Sequence, residues 1–131
     1  MVIPIITPLY AALLGLLFLV LTVRVGMFRV KNSISIGDGK NDEMLHRIRA
    51  HANFTEYVPL ALILILFTEI LATDSTIVHA LGAALLVGRV LHAYGLSSNI
   101  MRPRLIGQTL TMLSLLGGSI CTAMAVYPFY F

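Results

Sequence analysis

Apolar residues run almost unbroken over positions 4–28, with Arg24 the one charge among them. That is more than the roughly 20 residues a helix needs to cross a bilayer. The text then turns polar from Arg29 to Lys40, where Gly37-Asp38-Gly39 signals a turn. A second long run, positions 42–71, opens with Asn41 or Asp42 as cap candidates and with Asp42 and Glu43 suited to the positive end of a helix dipole. Its first half, HRIRAHANFTEY, is polar on one side, and its second half, VPLALILILF, is apolar throughout. Pro59 between them is expected to kink a helix that lipid tolerates. Thr73-Asp74-Ser75 forms a short turn before a third run over 76–98, in which Gly82, Ala83, Ala84 and Gly88 offer small surfaces for close packing. Positions 99–104, with Pro103, read as the last connection, and a fourth run covers 104–127. The pattern predicts an all-α fold: one integral membrane four-helix bundle over residues 1–131.

Composition agrees with lipid as the solvent: 58% hydrophobic residues, 11% charged and a mean hydropathy of +0.91. The single cysteine, Cys121, excludes an internal disulfide and stands apart from any metal-ligand spacing. The first run lacks the basic start and small-residue cleavage pattern of a signal peptide, so it is read as a retained helix. A net charge of +3 does not point to nucleic acid, because all nine basic residues gather around the first and third connections. Arg24, Arg29, Lys31, Lys40, Arg47 and Arg49 surround the first, and Arg89, Arg102 and Arg104 approach the third. By the positive-inside bias these connections are cytoplasmic and both termini lie on the opposite, non-cytoplasmic side.

The chemistry concentrates in the second run. Arg49, Asn53 and Glu56 are spaced i, i+4, i+7 and so share one helix face. Glu56 stands roughly 21 Å along a helix that starts near Asp42, at a depth where an isolated carboxylate is expensive. It needs a partner or a cavity: either an internal polar stitch or a functional site. Arg24, Arg89, Tyr94, Arg102 and Arg104 approach the same membrane side, and a cluster richer in arginine than in acid suits an anion held in bidentate fashion. Glu69, near the far end of the same helix, is expected to reach the solvated interface. His79 and His92 are thirteen positions apart and read as structural rather than as metal ligands.

The segment Arg49-Ala-His51-Ala-Asn53-Phe-Thr-Glu56-Tyr57-Val-Pro59 resembles the helix-two signature of the MAPEG family, the membrane-associated proteins in eicosanoid and glutathione metabolism. The Gly88-Arg89-Val90 to Tyr94 segment and Arg104-Leu-Ile-Gly107 agree with it, so the resemblance covers nearly the whole chain and is nearest to the small bacterial branch. It implies a homotrimer in a bacterial inner membrane, with glutathione as co-substrate in sites between subunits. Residue by residue, it implies that Arg49, Asn53, Glu56 and Tyr57 hold glutathione, joined by Tyr94, by Arg24 and, in second rank, by His51. It gives the catalytic role to Arg104, with Arg102 as fallback.

Physically, a guanidinium beside the glutathione sulfur favours the thiolate, which is the nucleophile. It would attack a hydrophobic small molecule arriving from the membrane lipid, or reduce a lipid peroxide, as a transferase or peroxidase. The family also implies an alternative, a non-catalytic lipid- or anion-binding scaffold. A small multidrug-type transporter ranks last, because its lone glutamate is expected among apolar neighbours in the first helix.

Overall fold

The computed structural model describes residues 3–71 and 73–130. Four helices follow one another: α1 (Ile6–Asn32), α2 (Asp42–Ile70), α3 (Ser75–Ser97) and α4 (Met101–Val126), with one 3₁₀ turn at Tyr127–Phe129. All four are long and apolar enough to cross a membrane, and no strand occurs among the described residues.

Local chemistry sets the ends. Asn41 caps α2 by accepting the Met44 N–H at 2.9 Å, and Asp74 caps α3 by accepting the Thr76 N–H at 2.8 Å. α1 stops where Ser33 turns left-handed at φ 54° and the Ile34 N–H reaches back to the Arg29 carbonyl at 3.0 Å. Asn99, also at φ 54°, ends α3 in the same way, with the Ile100 N–H on the Gly95 carbonyl.

Two boundaries differ from the sequence reading. α1 continues past residue 28 to Asn32, because Arg29 and Lys31 in its last turn complement the negative end of the helix dipole. α4 begins at Met101, before Pro103. A proline is harmless in a first turn, whose N–H groups have no intrahelical acceptor. Arg104 therefore lies within the first turn of α4 instead of preceding it.

α3 lies innermost, with Val78, Leu81, Leu85, Ala93 and Leu96 buried against Leu14 and Leu21 of α1 and against Ala50, Phe54, Val58, Ala61 and Ile65 of α2. α4 packs differently: its buried stripe is Gly107, Thr111, Ser114 and Gly118, with no large side chain. Small residues let backbones approach, which is how helices associate where lipid removes the hydrophobic drive. A Cβ on Gly88 would stand 2.9 Å from the Gly107 carbonyl oxygen, so this seam admits only glycine without a shift. Gly88 thus does what the sequence assigned to it, while Gly82 makes room for the Tyr10 ring of α1.

Glu69 corrects an expectation. Its residue is 5% exposed, not solvated. Its carboxylate accepts the backbone N–H groups of Ile5, Ile6 and Thr7, each at 2.7 Å, together with the Thr7 hydroxyl. α1 has no capping side chain of its own, and a carboxylate from α2 serves instead, where the helix dipole favours negative charge.

Candidate functional site

The basic end of the bundle is organised around Arg89. It lies in α3 two turns before Ser97 and is only 2% exposed. Its Nε donates to Thr111 Oγ1 at 2.9 Å, Nη1 to Asn53 Oδ1 at 2.6 Å and Nη2 to Gln108 Oε1 at 3.1 Å. The Tyr57 ring adds a cation–π contact, its centroid 5.5 Å from the guanidinium carbon. One side chain thereby joins α2, α3 and α4.

No carboxylate pairs with Arg89 among the described residues. Taking a guanidinium out of water costs several kcal/mol. Three hydrogen bonds from a charged donor, each worth about 1.5–3 kcal/mol, and the ring face offset that cost.

The stripe on α2 divides around this centre. Asn53 turns inward to Arg89. Arg49 and Glu56 stay on the outer side, Nη1 to Oε1 at 3.8 Å, with side chains 51% and 50% exposed. That separation is an ion pair without a hydrogen bond, a loose arrangement of charges. Tyr57 is half-buried beside Arg89, whereas Tyr94 of α3 is 55% exposed. Arg102 and Arg104 are exposed in the first turn of α4. Arg104 and His46 line a small cleft with Gly95, Leu96, Asn99, Ile100 and Met101.

Two of the residues named from the sequence face elsewhere. Arg24 donates to Ser97 Oγ at 3.0 Å, tying α1 to the end of α3. His51, two positions from Arg49 and so on the opposite face of α2, meets Thr22 Oγ1 at 3.1 Å and stacks on Phe18 with ring centroids 4.9 Å apart. Within this chain, Asn53, Tyr57 and Arg89 form one group and Arg49 and Glu56 a second. Tyr94, Arg102 and Arg104 are presented outward.

Sequence reasoning missed Gln108, Thr111 and the buried role of Glu69. A signal existed for the first two: they are spaced i, i+3 on α4, on the face that Arg89 must meet if α3 and α4 pack through Gly88 and Gly107. For Glu69 the signal was weak, because three of its four donors are backbone N–H groups, which carry no residue signature, and the Thr7 hydroxyl alone does not single it out. His92 is buried in α3, and His79 meets the Tyr10 hydroxyl at 3.2 Å, so both serve the bundle.

Comparison with known proteins bears on the same segments. Over 111 residues, 85% of this chain and 85% of the relative, the sequence is 36% identical to the inner membrane protein YecN of Escherichia coli K12. The match to YecN of Escherichia coli O6:H1 is the same in identity and extent. The MAPEG family matches residues 7–124, from the first turn of α1 to the last turns of α4. With four spanning helices in place and the helix-two signature lying along the site, the chain belongs to the MAPEG family.

Proposed function

We propose that this chain is a glutathione-binding protein of the bacterial inner membrane, acting as a transferase or peroxidase on hydrophobic electrophiles or lipid peroxides. The observation that carries the reading is the pair of half-exposed charges, Arg49 and Glu56, standing beside Asn53 and Tyr57 on the outer side of α2. Glutathione bears two carboxylates and one ammonium group. Arg49 is suited to a carboxylate, Glu56 to the ammonium, and their own contact is loose enough to open for both.

The relative's inner-membrane name supports the choice of membrane, and the positive-inside bias supports a cytoplasmic basic end, with the termini opposite. Half-exposed polar groups on a membrane helix call for cover, and a neighbouring subunit of a homotrimer supplies it, with Tyr94 completing the pocket. Arg104, with Arg102 as second choice, stabilises the glutathione thiolate as the thiol proton leaves to solvent. The thiolate sulfur then bonds to the electrophilic carbon of the lipid-borne substrate, and the displaced electron pair takes up a proton. Arg24 and His51 act through α1, holding the helix against α2 and α3.

The test is a glutathione titration of purified protein followed by the ultraviolet absorbance of the thiolate, with Arg104→Ala and Arg102→Ala alongside. Binding with thiolate formation is expected in the wild type, and binding without it in Arg104→Ala. Wild-type binding without thiolate would turn the reading to the non-catalytic scaffold. No binding would overturn the glutathione assignment.

A further inference from the structure

A guanidinium has five N–H donors and no acceptor. Whatever polar atom meets Arg89 must therefore present oxygen. For Asn53 and Gln108 this fixes the orientation of both amides: Oδ1 and Oε1 face Arg89, and each NH2 points away from it. Thr111 is used up in the same centre, accepting from Arg89 and donating to the Gly107 carbonyl at 3.0 Å.

The two NH2 groups are left over. Neither has a hydrogen-bond partner among the described residues. No buried side-chain nitrogen or oxygen among the described residues lacks a partner, so both NH2 groups must be open to solvent. Both residues are half-buried, which agrees. Their oxygens share one guanidinium, one on Nη1 and the other on Nη2, so the two amides flank the same buried cation. Their field is positive, because the buried cation behind them has no carboxylate.

We propose that Asn53 and Gln108 form a carboxylate-binding element, made donor-only by Arg89 as its positioning residue. An amide free to rotate accepts as readily as it donates and would select nothing. Turned by Arg89, two amides offer only N–H, and a ligand oxygen that accepts from both gains most when it is anionic. Each hydrogen bond polarises the next, so the charge of Arg89 strengthens donors that it does not itself extend to the ligand. The element deepens the glutathione reading by assigning one of the peptide's carboxylates to α2 and α4 together. It rests on that reading only for the ligand's identity.

Calorimetric titration of the purified full-length chain tests it with two probe pairs, glutathione against its diethyl ester and decanoate against decanol. Gln108→Met removes one NH2, and Gln108→Glu replaces it with a carboxylate that pairs with Arg89. Expected is a wild-type preference for the free carboxylate in at least one pair. That preference falls at least about tenfold in both variants, while the thermal midpoint of Gln108→Glu equals or exceeds that of wild type. Gln108→Met keeps the experiment decisive if the glutamate variant does not fold.

A wild type that ignores glutathione yet prefers decanoate, with the preference lost in Gln108→Met, would end the glutathione reading and leave the carboxylate element standing. A preference that survives in Gln108→Met, or its absence from both pairs, overturns the proposal.

Discussion

Among the described residues, the two ends of the bundle each bury a charge without a counter-ion, and they do so in opposite ways. At the end near the termini, Glu69 is met by three backbone N–H groups and a hydroxyl, all from Ile5 and the first turn of α1. At the basic end, Arg89 is met by an amide from α2 and by an amide and a hydroxyl from α4. Dipoles neutralise both charges. The difference is what the dipoles have left to give. A backbone N–H is a single donor and is consumed by Glu69, so that centre is closed. An amide side chain has a second end, so the Arg89 centre continues to the surface. The first arrangement joins two helices, and the second can also recognise a ligand.

The comparison breaks most visibly at Glu69. Glu69→Ala leaves three backbone donors and the Thr7 hydroxyl without an acceptor, and is expected to destabilise the bundle by about 3 kcal/mol or more, read from unfolding in detergent. Any glutathione affinity of the folded fraction should stay as in wild type; a loss there would mean that the two ends are coupled.

Arg89→Met should cost less, about 1–3 kcal/mol, because the Asn53 and Gln108 amides, already open to solvent at their NH2 ends, can turn their released oxygens outward. Affinity for a carboxylate ligand should instead fall at least tenfold, measured by calorimetry. Equal losses of stability in the two variants would remove the distinction between closed and open centres.

Glu56→Gln should leave stability within about 0.5 kcal/mol, since its contact with Arg49 is loose and half exposed. On the proposed glutathione reading, the same substitution should weaken binding of that peptide about tenfold through its ammonium group.

The smallest effect is expected at Asp74, which caps α3 on the Glu69 side from outside the span. The hydroxyl and the N–H of Thr76 hold its carboxyl below the ordinary value. A depressed value contributes stability above the unfolded pKa, and this is lost as pH falls through the folded one. Asp74→Asn keeps the cap and should flatten that part of an acid titration, whereas an unchanged profile would show that the cap carries no charge effect.

Much of this was legible in the sequence. Four helices, their order, a cap at the Asn41–Asp42 start of α2, the turn at Asp74 and the gathering of basic residues follow from hydropathy, turn chemistry and charge, while the capping role of Asp74 came from the structure. The α2 stripe was legible as a face but not as two groups, since a helical wheel does not say which member meets a neighbour. Asn53 turns inward only because Arg89 arrives from α3. The ends of α1 and α4 were misplaced for a shared reason: Arg29, Lys31 and Pro103 read as loop residues, yet each suits the first or last turn of a helix. Gln108 and Thr111 became visible only once the glycine seam brought α4 against α3.

The clamp at Glu69 has a further consequence, in the order in which the chain is made. Ile5 and Glu69 are 64 positions apart, so α1 is complete, with its leading turn still lacking an acceptor, while α2 is yet to emerge. Only when the far end of α2 arrives does that turn become satisfied. The start of α1 and the far end of α2 are therefore closed by a contact that neither helix can make alone.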